Sequence, residues 1–239
     1  MNRLPREFFD RPATDVAPDL LGCLFWHHSP AGLVAARLVE VEAYEGLTDP
    51  ASHAFRGHTA RNAVMFGAPG HAYVYFTYGM HFCVNLVCQP AGRAEAVLLR
   101  AAEITRGTAL ASRRRRGRSA DLASDLAMGG IDSSREVRTV DLARGPARLC
   151  QALGIDRALD GADVCGLDSP LGVGPPEIVV DRDVICTGPR VGVSQAADRP
   201  WRYWIAGDSH VSVFRPAKPP RARLKPGSGS AAKDGTMHR

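Results

Sequence analysis

Hydrophobic and polar residues alternate along residues 35–44, and this period of two predicts a β-strand. The face that we expect to pack inward carries Val39, Val41 and Ala43. The opposite face carries Glu40, Glu42 and Tyr44. Two carboxylates and an aromatic ring side by side are unusual on a strand surface, so this face indicates contact with something polar and flat.

Other stretches predict the remaining elements. Two β-rich runs, 72–77 and 81–88, flank Tyr78-Gly79-Met80 and predict a hairpin with Tyr78 at its tip. A helix is expected over 147–153, with Pro146 at its start and Gly154 at its end. We also expect a short helix beginning near Asp15, and strands at 22–27, 94–102, 177–186, 190–193, 202–205 and 211–214. This mixture favours a mixed α/β (α+β) fold, a single compact domain with a largely antiparallel β core, flanking helices and a protruding β-hairpin.

The length and the charge distribution define the domain limits. With 239 residues, 45% of them hydrophobic, the chain can bury a sizeable core, and we expect one domain over residues 1–215. The formal charge of +5 resides in residues 216–239, which carry six basic residues against one acidic residue and are predicted to be a disordered basic tail. A flexible arginine-rich excursion is expected over about 107–140. Its arginine run at 113–118 fits either a phosphate-binding surface or a solvated loop.

Several classes of function are disfavoured. Apolar stretches are interrupted by charge or glycine before they reach the length of a membrane span, and residues 1–20 lack the order of a secretory signal. We therefore expect an intracellular, cytoplasmic protein. The six cysteines form no CxxC pair, so we expect free thiols, no metal site and no cofactor. All three lysines lie in the tail, so no lysine of the packed body can attack a sugar to form a Schiff base.

The candidate chemistry is concentrated in one stretch. Four of the five tyrosines lie between Tyr44 and Tyr78, together with Glu42 and His53. Aromatic faces hold a planar ring and a carboxylate activates water, which is the combination that an enzyme needs to remove a nucleobase. Glu42 is the candidate general base, and Arg100 is expected to order the attacking water and keep that carboxylate ionised. The alternative is that Glu42 and Arg100 form an ordinary ion pair, or never meet.

Two other functions stay open at this point. Carboxylates two residues apart on a strand, such as Glu40 and Glu42, have Cβ atoms roughly 7 Å apart, which is close to the spacing of sugar-cleaving acid pairs. That interpretation predicts a nucleoside or glycoside hydrolase acting on free nucleosides or sugars. The aromatic hairpin alone would also suit a non-catalytic nucleic-acid binding module that uses its rings as a stacking platform.

Short motifs follow one another along most of the chain. They are Val41-Glu42-Ala43-Tyr44, His53, Arg61-Asn62, Met65-Phe66, the 73–80 run, Asn85, the 97–101 run, Gly145-Pro146 with 149–153, the 190–193 run and the Gly207 neighbourhood. In this order they resemble the alkyladenine (3-methyladenine) DNA glycosylase family over about residues 8–214. A string of motifs in one register is far more specific than any single motif.

The resemblance implies an activity and its catalytic residues. The expected reaction is hydrolysis of the N-glycosidic bond of alkylated or deaminated purines, by a monofunctional enzyme without lyase activity. Glu42 would be the general base, with Arg100 and the main-chain carbonyl near Ile205 also holding the water. The expected partner is double-stranded DNA containing damaged purines, bound by a DNA-associated monomer. Tyr78 would wedge into the minor groove and fill the gap left by the flipped nucleotide.

The resemblance also implies a pocket for the flipped base. Tyr44, His53 and Tyr75 would line it and sandwich the purine. Tyr73 would support these groups from behind. Asn85 would lie at the floor and disfavour normal guanine by crowding its exocyclic amine.

Overall fold

The computed structural model describes residues 1–77, 79–116 and 137–217 of the chain. The helices in this part are α1 (Arg6–Phe9), α2 (Ala13–Leu20), α3 (Thr108–Arg116) and α4 (Pro146–Leu153). The strands are β1 (Leu24–Ser29), β2 (Gly32–Tyr44), β3 (Ala72–Thr77), β4 (His81–Cys88), β5 (Glu95–Arg106), β6 (Leu171–Gly174), β7 (Ile185–Gly188) and β8 (Arg202–Ile205). The predicted tip residue Tyr78, most of the arginine-rich excursion and most of the basic tail lie outside the described residues.

These strands form one sheet in which every pairing is antiparallel. The order is β3-β4-β5-β2-β1-β6, while β8 pairs with both β2 and β7. Strand β2 is central, because it pairs with β5 along one edge and with β1 and then β8 along the other. The predicted mixed α/β fold with a largely antiparallel core is confirmed.

The side of β2 that faces the core changes once along the strand. Its core residues are Val34, Ala36 and Leu38, and then Val41 and Ala43. Its neighbour β5 changes side at the same level, with core residues Val97, Leu99, Ala102 and Ile104. The pairing of the two strands is irregular on both sides of Glu40, which is where the alternation shifts.

This shift corrects the predicted faces of β2. Val41 and Ala43 join the main core as expected, but Val39 does not. The polar face is also not a surface, because Glu40 and Glu42 are fully buried. Strand β8 and the chain on either side of it cover this face, and their side chains and backbone groups contact both carboxylates.

Helices α2 and α4 pack against the sheet, and α3 packs against α4. Helix α4 begins with Pro146 and ends at Gly154, whose φ of +71° lets the N–H of Ile155 reach the carbonyl of Cys150 at 2.8 Å. Arg114 of α3 donates to the carbonyl of Leu153 at 2.7 Å, at the C-terminal end of α4. Part of the arginine run therefore holds two helices together instead of lying in solvent.

Several predicted strands were wrong, and one strand was missed. Residues 177–184 form no strand, and Ile178 and Val179 are more than 80% exposed. Residues 190–193 and 211–214 are irregular. The missed strand β6 contains two glycines, which weaken the strand signal in the sequence. A Cβ at Gly172 would lie 2.2 Å from the Trp26 ring, so packing against Trp26 requires glycine at this position.

All six cysteines are free thiols, as predicted.

Candidate active site

Glu42 is fully buried on β2, and three groups hold its carboxylate. Its Oε1 accepts the N–H of Val191 at 2.7 Å and lies 3.1 Å from Nη1 of Arg100. Its Oε2 accepts the hydroxyl of Tyr44 at 2.9 Å. A carboxylate has about four acceptor positions, so these donors leave about one for a further hydrogen bond.

Arg100 joins this carboxylate to a second one. Its Nε donates to Glu40 at 2.9 Å while its Nη1 contacts Glu42. Glu40 also accepts Nε of Arg202 at 2.8 Å, and the N–H and Oγ of Ser212 at 2.7 and 3.0 Å. Burial raises the pKa of Glu40, but Arg100, Ser212 and Arg202 outweigh it, so the pKa lies below its ordinary value. Glu40 is an anion at neutral pH and accepts four hydrogen bonds from these three residues.

Arg190 lies behind the Tyr44 ring and is 2% exposed. Its guanidinium carbon is 4.5 Å from the centroid of Tyr44 and 5.1 Å from that of Trp201. Two of its nitrogens donate to the buried carboxylate of Asp49 at 2.5 and 2.9 Å, and one donates to the carbonyl of Ala43 at 3.0 Å. The guanidinium therefore connects β2, the loop after β2 and the segment before β8.

A pocket of about 60 Å³ opens beside Tyr44. It is formed by β2, by the loop that joins β2 to β3, and by the two hairpin strands β3 and β4. The lining residues are Tyr44, Ala51, Ser52, His53, Met65, Tyr73, Tyr75 and Asn85. Because Tyr44 also donates to Glu42, the pocket and the buried carboxylate share one wall.

The aromatic groups of the pocket support one another. The rings of Tyr73 and Tyr75 are stacked, with centroids 5.4 Å apart and planes at 22°. His53, at the exposed rim, meets Tyr75 edge-on at 4.5 Å, and its Nδ1 lies 3.1 Å from the hydroxyl of Tyr73. Asn85 is buried and faces Tyr73 across the β3–β4 pair. This arrangement gives the pocket flat aromatic walls, with the polar side chains of Ser52, His53 and Asn85 among them.

The titratable groups of the pocket are neutral at neutral pH. Burial, and then the nearby Glu42 carboxylate, raise the pKa of Tyr44 well above its ordinary value. Burial likewise raises the pKa of Tyr75. Burial and then Arg61 lower the pKa of His53, which favours its neutral imidazole. The pocket itself is thus uncharged, and the carboxyl group of Glu42 lies directly behind the Tyr44 wall.

The structure brings most of the predicted site residues together, namely Glu42, Arg100, Tyr44, His53, Tyr73, Tyr75 and Asn85. Tyr78 is outside the described residues. The carbonyl of Ile205 accepts the N–H of Asp208 at 3.4 Å, and Ile205 lies three residues beyond the position that pairs with Glu42. The main-chain group that contacts the Glu42 carboxylate is the N–H of Val191. The expected role of the carbonyl near Ile205, which is to hold the water, stays a prediction.

Sequence reasoning missed the groups that hold the site from behind. Arg190 and Val191 belong to a quoted motif, but the 190–193 run was interpreted as a strand, which gave these residues no role. Asp49, Arg202 and Ser212 had no local signal, because each acts on a residue more than 100 positions away. The one signal in the sequence that could have pointed to these groups was Arg190, because it belongs to the quoted 190–193 motif.

Two absences apply to the part of the chain that the structure describes. Its helices are all too short or too polar to cross a lipid bilayer. Over the same residues, His, Cys, Asp and Glu side chains do not gather in groups of three or more that could hold a metal ion.

The protein is a single α+β domain in which a buried Glu–Arg pair lies beside an uncharged aromatic pocket. These features define the class of protein to which it belongs. Comparison with known proteins identifies this class. The family model described as methylpurine-DNA glycosylase matches residues 7–209. The chain belongs to this family, which places it among the glycosylases of DNA repair.

Individual relatives cover nearly the whole chain. A protein of Streptomyces avermitilis, named "Putative 3-methyladenine DNA glycosylase", is 51% identical over 92% of this chain and 95% of its own. A protein of Leifsonia xyli with the same name is 51% identical over 88% of this chain and 92% of its own. One from Methanocella arvoryzae, also so named, is 43% identical over 89% of this chain and 97% of its own.

Proposed function

We propose that this glycosylase hydrolyses the N-glycosidic bond of alkylated or deaminated purines, 3-methyladenine among them, in double-stranded DNA. The observation that carries the proposal is the position of Glu42. Its carboxylate is buried, retains about one acceptor position, and lies behind one wall of an uncharged aromatic pocket. These are the requirements for a base that activates a single water beside a bound purine.

The purine must leave the duplex to reach this pocket. Stacking on aromatic side chains contributes about 1–3 kcal/mol per base, which helps to offset an unstacking cost of a few kcal/mol. Tyr44, Tyr75 and His53 supply the aromatic faces, and Tyr73 stacks on Tyr75 and contacts His53. Asn85 at the buried end would crowd the exocyclic amine of guanine, and Tyr78 would fill the gap in the duplex.

The chemical step balances with one water and one carboxylate. The water oxygen forms a bond to C1′ of the sugar, Glu42 accepts a proton from that water, and the electron pair of the C1′–N bond goes to the departing base. A purine made cationic by alkylation leaves as a neutral base, so no strong general acid is needed. Its charge is also attracted by the π faces of the tyrosines and by the nearby anion.

Arg100 has two functions in this proposal. It contacts Oε1 of Glu42 directly, at 3.1 Å, and so holds the carboxylate in place. A guanidinium has five N–H donors, and contacts to Glu40 and Glu42 use two of them, so others remain to orient the water. The contact is therefore more than a surface ion pair, since both partners are almost fully buried.

The glycosidase alternative has less support. A second carboxylate acting as general acid needs a raised pKa and access to the substrate. Glu40 has a lowered pKa, and its carboxylate is bound by two arginines and Ser212. We therefore expect no hydrolysis of free nucleosides.

The enzyme is expected to leave an intact strand with an abasic site. The three lysines of the chain all lie in residues 218–233, so residues 1–217 offer no lysine amine that could form a Schiff base with the sugar. Strand breaks appearing without alkali treatment would contradict this expectation.

The substitution Glu42→Gln tests the proposal, because the amide keeps the shape and loses the base. We expect release of 3-methyladenine from methylated duplex DNA to slow about 10²–10⁴-fold, with little change in affinity for undamaged duplex. Chromatographic analysis of released bases measures the rate. Undiminished release by the variant would contradict the mechanism, and DNA binding without release by the wild-type protein would favour the non-catalytic binding module.

A further inference from the structure

The segment between β7 and β8 contacts the site through two consecutive residues. The side chain of Arg190 lies against Tyr44, and the N–H of the next residue, Val191, donates to Glu42. Residues 189–201 contain no helix or strand. The backbone of this segment is therefore located by such individual contacts and not by a hydrogen-bonded ladder.

We propose that Arg190 is a positioning residue for Tyr44 and Glu42. Its guanidinium stacks on the Tyr44 ring, and by fixing the backbone at 190–191 it holds the Val191 N–H that binds the Glu42 carboxylate. This inference rests on the proposed function, since it assigns Tyr44 and Glu42 to base binding and water activation. Arg190 touches neither substrate nor water in this assignment.

The contacts of Arg190 explain why one side chain can control two groups. Its nitrogens bind Asp49 in the loop after β2 and the carbonyl of Ala43, which lies between Glu42 and Tyr44 on β2. Trp201 covers the guanidinium near the start of β8. The end of β2, the loop that follows it and the segment before β8 are thus fixed to one planar group, at the level where ring and carboxylate meet.

An arginine is required for this geometry. The guanidinium is planar, binds a carboxylate through two parallel hydrogen bonds and stacks on aromatic faces. A lysine at the same position would keep the charge opposite Asp49 but would lose both the two-pronged contact and the flat surface between Tyr44 and Trp201. Small displacements of reacting groups are costly, about 100-fold for 1 Å.

The test is Arg190→Lys, measured as the single-turnover rate of purine release per active molecule, with active-site titration to count active molecules. We expect this rate to fall about 10- to 100-fold, while affinity for undamaged duplex is unchanged. A merely structural role would lower the fraction of active molecules and leave the rate of each one intact. That result, a rate per active molecule within about twofold of wild type, would overturn the proposal.

Arg37→Lys is the matched control. Arg37 also lies on the central part of the sheet and joins two carboxylates, Glu103 and Asp208, at 2.7 and 2.6 Å, but it contacts no pocket residue. We expect this variant to lose stability without losing rate. A comparable loss of rate in Arg37→Lys would mean that any disturbed ion pair slows the enzyme, and would remove the special role of Arg190.

A second variant guards against misfolding. The double substitution Asp49→Leu with Arg190→Met removes both charges together and fills the space with apolar side chains, an exchange that buried ion pairs often tolerate without loss of stability. A reduced rate in this folded variant supports positioning, and a wild-type rate overturns it. Wild-type protein and Glu42→Gln, run in parallel, report on the proposed function independently of either Arg190 result.

Discussion

Glu40 and Glu42 are two positions apart on one strand, and their surroundings assign them different tasks. Glu40 is bound by two arginines and by both donors of Ser212. Glu42 is bound by one arginine, one hydroxyl and one backbone N–H. The first carboxylate is therefore a structural anion that holds Arg100, and the second retains room for water.

We expect Glu40→Gln to lower the free energy of unfolding at pH 7 by about 3–5 kcal/mol, since it leaves buried arginines without their anion. The pKa of Glu40 is lowered in the folded protein, so its contribution is present above the ordinary carboxyl pKa and is lost as pH falls through the folded pKa. The variant should therefore lose less stability than wild type across that acidic window. Urea unfolding at a series of pH values measures both effects.

Glu103→Gln is the control for this prediction. Glu103 also pairs with an arginine, Arg37 at 2.7 Å, but its side chain is 38% exposed. Solvent screens such a pair, and its loss should cost about 0–1 kcal/mol. Equal destabilisation by the two substitutions would show that burial does not set the value of the Glu40 contacts.

At the scale of elements, the connection between β2 and β3 supplies half of the pocket. It carries Asp49 and His53, and the buried Asn62 fixes it by donating to the carbonyl of His53 at 2.9 Å and to that of Gly57 at 3.1 Å. The loop begins at Gly46, which has a φ of +62° and packs against the start of β5. A Cβ there would lie 2.4 Å from the carbonyl oxygen of Arg93.

Gly46→Ala should therefore displace this loop. We expect a loss of at least about 2 kcal/mol in the free energy of unfolding, from the left-handed backbone and the contact with fixed main-chain atoms. Purine release should slow as well, because Asp49 and His53 move with the loop. Gly92→Ala provides the comparison, since its φ is +94° but a Cβ there meets nothing within 4 Å. If the two variants were equally stable and active, close packing at Gly46 would have no role.

Elements with strong local signals were predicted with nearly correct bounds. The hairpin strands 72–77 and 81–88 and the strand 202–205 match the structure, and helix α4 differs from its prediction by one residue. Local signals failed where distant contacts decide the outcome. Ile178 and Val179 favour a strand by composition but find no partner strand, while β6 forms despite Gly172 and Gly174 because Trp26 needs the space.

At the scale of the whole molecule, the net positive charge and the candidate site belong to different parts of the sequence. The positive excess resides in residues 216–239, and the body is formally neutral. In the described part of the arginine run, Arg114 and Arg115 are committed to contacts with α4, while Arg113 and Arg116 are exposed. We therefore expect attraction to the DNA backbone and recognition of the damaged base to be carried by different parts of the chain.

Removal of residues 216–239 should weaken binding to undamaged duplex and make it less sensitive to salt. Each lost phosphate contact reduces the slope of log affinity against log salt concentration by about 0.9. The single-turnover rate at saturating enzyme should not change, because the tail supplies no group to the pocket in our assignment. Titrations at several salt concentrations measure the slope. An unchanged slope would mean that the tail makes no contact with DNA.

The sequence by itself determined the antiparallel core, the hairpin strands and the residue types of the candidate site, because alternation, turn residues and motifs are properties of neighbouring positions. It also placed Glu42 and Tyr44 on one face of a strand, two residues apart. Only the tertiary structure decided that this face is buried, that Glu40 accepts four hydrogen bonds while Glu42 is held by three donors, and that Arg190 lies behind Tyr44. Those outcomes depend on contacts between residues about 60 to 170 positions apart, and burial and charge compensation exist only once such residues meet.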